Sequence, residues 1–185
     1  MGKLLIKNAT VINEGNRLNE DILIEGDLIT SISKKIQIDS DTQVIDAHGL
    51  ILIPGMIDDQ VHFREPGLTH KGNILSESKA AIAGGVTSYI EMPNTSPNTT
   101  TVEEFNKKIS IASINSYSNF SFMFGGTNDN LDEIKKIDPT EVAGIKLFLG
   151  SSTGKMLIDN LNSIEKIFSS TSLPISAHCE DEQTI

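Results

Sequence analysis

The chain has 185 residues, of which 38% are hydrophobic and 22% are charged, as expected for a globular protein with one substantial core. Its 15 basic and 25 acidic residues give a formal net charge of -10 without a basic cluster, which excludes nucleic acid as an expected partner. No apolar stretch approaches the length of a membrane span, and the N-terminus lacks a secretory-signal pattern. The single cysteine, Cys179, excludes a disulfide within the chain and makes a reducing cytoplasm the expected compartment.

The first part of the chain has the pattern of a small β domain without helical periodicity. Apolar and β-branched segments alternate there with tight turns at residues 14–16 and 26–27. The expected strands cover residues 3–12, 21–25, 28–32, 44–45 and 50–53.

After residue 53 the pattern changes to strands that alternate with helices, which is typical of a parallel β/α sheet. Apolar residues at helical spacing predict four helices, with Thr101 and Asn130 as N-cap residues of the second and third. The expected helices lie near residues 76–83, 102–112, 131–137 and 161–168. The expected strands cover residues 56–63, 87–92, 119–124, 144–149 and 174–178.

Candidate functional residues lie where these expected strands end. Side chains alternate along a strand, so Gln60, His62 and Arg64 share one face. An imidazole and a guanidinium before a Pro-Gly turn suit a metal ligand and an anion-binding fork. Asn94 and His178 follow two other expected strands, at the edge where parallel β/α folds place their active sites. The alternatives are a structural histidine, a surface ion pair of Arg64 with Glu65, and a turn residue at Asn94.

Lys146 interrupts an otherwise apolar strand at residues 143–149, and two interpretations are open. The lysine lies either at a solvated edge of the sheet or inside it. Burial of an ammonium group is costly, so the pKa of a buried lysine falls and the neutral amine becomes available. A neutral amine can take up carbon dioxide, and the resulting carbamate is an anionic ligand able to bridge two cations.

Four segments together resemble class I dihydroorotase, a family of the cyclic amidohydrolases, over essentially the whole chain. They are residues 60–67 (QVHFREPG), 92–95 (MPNT), 144–148 (GIKLF) and 177–180 (AHCE). The resemblance implies an α/β fold, the (β/α)8 TIM-type barrel of metal-dependent amidohydrolases, with about its first five strands present. A small N-terminal β domain at residues 1–53 would precede the partial barrel at residues 54–185. The family's catalytic aspartate lies beyond Ile185, so we expect no catalytic residue within the chain and an inactive fragment.

The resemblance also implies a reaction and a set of ligands. Dihydroorotase hydrolyses the cyclic amide of dihydroorotate reversibly to N-carbamoyl-aspartate in pyrimidine biosynthesis, by a zinc-activated water. His62, carbamylated Lys146 and His178 would hold one or two zinc ions. His62, Arg64 and Asn94 would bind the substrate, the latter two through its carboxylate. The expected partner is this small molecule, with no nucleic acid or membrane, and a homo-oligomer stays open.

Gln60 departs from the family, which has His-x-His on the first barrel strand. An amide oxygen is a weak, neutral ligand for zinc, so Gln60 predicts a metal site of low affinity or a single metal. Two alternatives therefore stay open: a cyclic amidohydrolase of the hydantoinase or allantoinase type, and a catalytically silent homologue that acts as an assembly subunit. Cys179 is expected to be buried and inert, because it faces away from His178.

Overall fold

The computed structural model describes residues 2–150 and 156–180. The chain forms two compact units, Met1–Pro54 and Gly55–Ile185. Within the described ranges, no helix is long and apolar enough to cross a membrane.

The first unit is a sheet of five strands arranged around β1. Strand β1 (Lys3–Asn13) pairs antiparallel with β2 (Asn16–Glu25), which pairs antiparallel with β3 (Leu28–Ser33). On its other edge β1 pairs parallel with β4 (Thr42–Asp46) and β5 (Ile51–Leu52). A small apolar core is formed by Ala9, Val11, Ile22 and Ala47.

Strand β2 begins earlier than its apolar residues predict, at Asn16 instead of residue 21. Residues Glu14 and Gly15 adopt positive φ values of 48° and 75° and form a tight turn, after which Asn16 pairs directly with Asn13. A tight hairpin extends the pairing through polar, exposed residues, because backbone hydrogen bonds do not depend on side-chain hydrophobicity.

The second unit contains a parallel sheet of five strands in the order β10-β9-β8-β7-β6. These strands are β6 (Met56–Val61), β7 (Val86–Glu91), β8 (Asn119–Gly125), β9 (Gly144–Phe148) and β10 (Ile175–His178). The helices are α1 (Ile74–Ala83), α2 (Val102–Asn115), α3 (Leu131–Ile134) and α4 (Leu161–Ser170). One helix lies in each connection between successive strands, as the alternating pattern predicts.

The parallel sheet is strongly curled. Gln60 on β6 and Lys146 on β9 are three strands apart, a separation of about 14 Å in a flat sheet. Their side chains nevertheless meet, with Lys146 Nζ 3.1 Å from Gln60 Oε1. Inward-facing side chains of non-neighbouring strands can converge in this way only when the sheet bends as in a barrel.

Local sequence explains where helices α1 and α2 begin. Asn73 Oδ1 accepts a hydrogen bond from the backbone N–H of Ser76 at 2.9 Å and caps α1, which ends at Gly84. Thr101 Oγ1 accepts from the N–H of Glu104 at 3.2 Å, so Thr101 is the N-cap of α2 as predicted. Both caps satisfy backbone donors that the first turn of a helix leaves without partners.

Asn130 does not cap the third helix with its side chain, and the predicted helix to residue 137 is only four residues long. Its Oδ1 accepts from the N–H of Thr127 at 2.8 Å. Its Nδ2 donates to the carbonyls of Thr100 and Gly125 at 2.9 and 2.8 Å. The amide satisfies three backbone groups of two loops at the strand ends, a role that sequence spacing does not distinguish from capping.

The apolar stripe of α4 is only partly buried. Ile167 is buried and Ile164 packs against the core, whereas Leu161 and Phe168 are 81% and 56% exposed. At 3.6 residues per turn, Ile164 and Ile167 point to the sheet while the other two lie on the flank of the stripe. The predicted helix is therefore correct, but the predicted face is wider than the packed one.

The core of the second unit lies between the sheet and its helices and is rich in aromatic rings. The rings of Phe63 and Tyr89 are 4.4 Å apart between centroids, and Phe105 on α2 packs against Phe122 and Phe124 of β8. These contacts hold β6, β7 and β8 in a rigid layer. Rigid strands place the polar residues at their ends in defined positions.

Candidate active site

The candidate site lies at the carboxyl ends of the parallel strands. His62 directly follows the last residue of β6, and Asn94 lies three residues after Glu91, the last residue of β7. Lys146 lies within β9, and His178 is the last residue of β10. The four side chains thus come from four strands of one curled sheet.

Lys146 is buried, with 3% of its surface exposed, so the interpretation as a solvated edge lysine is wrong. Its ammonium nitrogen donates to Gln60 Oε1 at 3.1 Å and lies 3.3 Å from Ser176 Oγ. Both partners are neutral, and within the described residues no carboxylate forms a salt bridge with Lys146. Burial lowers the pKa of Lys146, which favours the neutral amine.

His62 has an environment that keeps its imidazole neutral. Partial burial lowers the pKa of His62, and the positive charge of Arg64 adds to this effect, although a hydrogen bond with the side chain of Asn94 opposes it. The neutral imidazole is the form that binds a metal. Asn94 is itself buried, with 6% of its surface exposed, so its amide is held in a defined position beside the ring.

Arg64 adopts an unusual backbone conformation at the mouth of the site. Its φ is 71°, in the left-handed region that non-glycine residues rarely occupy. Its backbone N–H donates to Glu91 Oε1 at 3.0 Å. Within the described residues Arg64 forms no salt bridge with Glu65. Glu65 Oε2 instead accepts from the N–H of Ile74 at 2.8 Å at the start of α1.

His178, the last residue of β10, lies beside a carboxylate that follows it closely in the chain. Its Nε2 lies 3.1 Å from Glu180 Oε2, and both side chains are about half exposed. Cys179 is exposed, so its predicted burial is wrong. Alternation along a strand assigns a residue to a face but does not show that the face is covered, and the last residues of β10 are themselves exposed.

The turn after β6 packs closely on the loop that carries Asn94. Gly67 has a φ of +82°, and a Cβ built there would lie 1.8 Å from the carbonyl oxygen of Ser96. The backbone N–H of Ser96 donates to the carbonyl of Pro66 at 3.1 Å. The two segments that flank His62 and Asn94 are therefore bonded to each other through their backbones.

A family model described as Dihydro-orotase-like matches residues 49–184. The chain belongs to this dihydroorotase-like family. Among curated relatives, the dihydroorotase of Methanosphaera stadtmanae is 36% identical over 189 residues, which cover 100% of this chain and 42% of the relative. The dihydroorotase of Methanosarcina acetivorans is 35% identical over 186 residues, or 99% of this chain and 40% of the relative. The chain thus spans about two fifths of the length of these relatives.

Solved structures of the same architecture are hydantoinases. The L-hydantoinase (dihydropyrimidinase) from Arthrobacter aurescens superposes with a TM-score of 0.92 at 28% identity, over 99% of this chain and 42% of that one. The D-hydantoinase (dihydropyrimidinase) from Thermus sp. has a TM-score of 0.78 at 32% identity, over 97% of this chain and 41% of that one. The predicted partial barrel with a small N-terminal sheet is confirmed for this member of the dihydroorotase-like family.

The side chains of the site fit a zinc ion only if Lys146 carries a carbamate. In the part of the chain that the structure describes, no group of three or more His, Cys, Asp and Glu side chains could hold a metal. An unmodified lysine beside an amide oxygen offers no anionic ligand, whereas a carbamate on Lys146 would add two oxygens that share one negative charge next to Gln60. With that modification, the nitrogen and oxygen donors are those that zinc prefers.

The sequence pattern does not predict one buried ion pair of this dihydroorotase-like chain. Glu91 on β7 and Lys108 on α2 form an ion pair of 2.9 Å with both side chains buried. One signal was available, because Lys108 lies three residues after Phe105 and four before Ala112, in the apolar register of the helix. A charge at such a position indicates a buried partner.

The close packing of Gly67 gives a prediction that uses Gly85 as a matched control. Gly67→Ala and Gly85→Ala both place a side chain at positive φ, at +82° and +88°, but only Gly67 has a neighbour within 4 Å of the added Cβ. Alanine in the left-handed region costs roughly 1–2 kcal/mol at either position. The clash at Gly67 should add about 1–3 kcal/mol to the loss of unfolding free energy, measured by denaturant titration. Equal losses for the two variants would contradict the packing described for this turn.

Proposed function

We propose that the full-length protein is a zinc-dependent dihydroorotase, which hydrolyses the ring amide of dihydroorotate reversibly to N-carbamoyl-aspartate. The observation that carries this proposal is the buried amine of Lys146, which has only neutral partners among the described residues. Burying such a group costs free energy, and a role as a carbamate ligand at the strand ends explains why the amine is there. Curated relatives named dihydroorotase support the same reaction.

His62, carbamylated Lys146 and His178 would hold the zinc, and Gln60 would add a weaker amide oxygen. Bound zinc would polarise the ring carbonyl and lower the pKa of a water molecule. The Lys146 amine contacts Gln60, the weaker of these proposed donors, and Ser176. Burial and the charge of Arg64 lower the pKa of His62, which favours the neutral, metal-binding form of its ring.

The substrate carboxylate would be held by Arg64 and Asn94. A guanidinium offers two parallel donors that match the geometry of a carboxylate. The bond to Glu91 holds the backbone of Arg64, and burial restricts the amide of Asn94 before substrate binds. Pre-organised donors of this kind lower the entropic cost of substrate binding.

A second candidate reaction is hydrolysis of hydantoins or dihydropyrimidines, which the Arthrobacter aurescens structure favours by its TM-score of 0.92. These substrates share the cyclic amide but lack the carboxylate of dihydroorotate. The two candidates therefore differ in what Arg64 contributes. A substrate comparison with an arginine variant separates them.

The first prediction concerns Lys146 and the metal. Zinc at about one ion per chain or more should be present in full-length protein purified without chelator. Lys146→Ala should lose zinc and turnover together, and short carboxylic acids with added zinc should restore part of both. A carbamate signal in ¹³C NMR after growth with ¹³C-bicarbonate should disappear in the same variant. Lys166→Ala removes an exposed lysine of α4 and should change none of these readings.

Retention of zinc and of the carbamate signal in Lys146→Ala would show that Lys146 is only a strand residue. Metal-free protein with full turnover would reject zinc dependence altogether. The NMR signal reports on the lysine independently of activity. Recovery of zinc and turnover with short carboxylic acids distinguishes loss of the ligand from misfolding, because a misfolded variant would not recover.

The second prediction concerns Arg64 and the choice of substrate. Arg64→Lys keeps the charge and the backbone position but loses the planar fork. Loss of a charge-assisted contact costs about 1.5–3 kcal/mol, so kcat/KM for dihydroorotate should fall roughly tenfold to hundredfold. Hydantoin lacks the carboxylate, and its kcat/KM should change much less. Equal losses on both substrates would reject the role of Arg64, and a wild-type preference for hydantoin would favour the second candidate.

The third prediction concerns Gln60. Gln60→His places a nitrogen ligand where an amide oxygen now faces Lys146, so zinc content should rise from about one toward about two ions per chain. Higher turnover with higher zinc content would mean that the natural enzyme is limited by an incomplete metal pair. Higher zinc content without turnover would favour the silent homologue. Unchanged zinc content would show that Gln60 is not a metal ligand.

A further inference from the structure

A buried ion pair lies directly behind the candidate site. Lys108 Nζ is 2.9 Å from Glu91 Oε2, and their side chains are 0% and 1% exposed. The same ammonium group donates to the carbonyl of Met92 at 3.0 Å and lies 5.1 Å from the centre of the Phe122 ring. Helix α2 is thereby joined to the end of β7 through charged groups that solvent does not reach.

Stability alone does not account for this pair. Removing two charges from water costs about as much free energy as their attraction returns, so a well-packed apolar pair is often equally stable. Burial raises the pKa of Glu91 and lowers the pKa of Lys108, and each charge opposes the effect on the other. A pair that contributes little net stability calls for a geometric explanation.

The Glu91 carboxylate connects Lys108 to the backbone of Arg64. Lys108 approaches one oxygen of the Glu91 carboxylate, and the other oxygen accepts the backbone N–H of Arg64 at 3.0 Å. Arg64 has a φ of 71°, and an L-residue in this region needs an external contact to hold it there. The carboxylate supplies that contact from a buried and immobile position.

Both ends of the segment that carries His62 are held by the same group of residues. The N–H of Met92 donates to the carbonyl of Val61 at 3.0 Å, while the carbonyl of Met92 accepts from Lys108. Glu91 holds the N–H of Arg64 three residues further along. The backbone between Val61 and Arg64 is therefore fixed at two points by Met92 and Glu91, adjacent residues at the end of β7, and Lys108 contacts both of them.

We propose that Glu91, which is paired with Lys108 in the interior, is a positioning residue, whose free oxygen holds the backbone of Arg64 in the left-handed conformation and so directs its guanidinium at the substrate carboxylate. The inference rests on the proposed function for its consequence in catalysis. Its structural part, the contact between Glu91 and Arg64, can be measured without any substrate.

Two double variants of the full-length protein separate positioning from packing. E91Q/K108M removes both charges but keeps an amide oxygen that can accept the N–H of Arg64. E91L/K108M has a similar volume and no acceptor. Amide hydrogen exchange at Arg64 should stay slow in E91Q/K108M and become roughly tenfold faster or more in E91L/K108M.

Turnover of dihydroorotate should also be impaired more in E91L/K108M than in E91Q/K108M. KM for dihydroorotate should rise roughly tenfold or more in E91L/K108M, with a smaller change in kcat, and E91Q/K108M should lose less. Hydantoin, which has no carboxylate, should show a much smaller difference between the two variants. In an Arg64→Ala background the difference on dihydroorotate should vanish, because the pair acts through the arginine.

The proposal is overturned if Arg64 exchanges equally fast in both double variants, or if their difference on dihydroorotate persists in the Arg64→Ala background. E91A/K108M provides the same two readings if the leucine variant does not fold. Wild-type protein that turns over neither substrate would reject the proposed function instead. Hydrogen exchange at Arg64 would still decide the positioning role in that case.

Discussion

The candidate site depends on one buried contact, the hydrogen bond between the Lys146 amine and the Gln60 amide oxygen. Strands β6 and β9 are separated by two others, so this contact exists only because the parallel sheet curls. The curl brings inward-facing side chains of distant strands into one volume. It also removes Lys146 from water and thereby lowers the pKa of its amine.

Among the described residues of the second unit, two lysines are buried in contrasting ways. Lys108 has a carboxylate partner at 2.9 Å, and the pair connects a helix to the backbone of the site. Lys146 has two neutral partners, and within the described residues no salt bridge offsets the cost of its burial. An ammonium group with a buried counter-ion is a structural element, whereas an amine without one is available for chemistry. The difference in partner supports the different roles proposed for these two lysines.

The loops at the strand ends form a connected layer around these residues. Gly67 allows the turn after β6 to approach the backbone of Ser96, and Asn130 bonds to backbone groups of two further loops. Active sites on β/α folds are built from such loops on a rigid sheet. Here the aromatic core provides the rigidity, and backbone hydrogen bonds between loops transmit it to His62, Arg64 and Asn94.

The sequence by itself determined the order of strands and helices, because hydrophobic period and capping residues act over a few neighbours. It also placed the candidate residues at strand ends. The tertiary structure alone decided that Lys146 is buried, that Cys179 is exposed, and that Asn130 bonds across loops. It also decided that Glu91 holds the backbone of Arg64. These outcomes depend on contacts between residues far apart in the chain, which the period of a single segment does not encode.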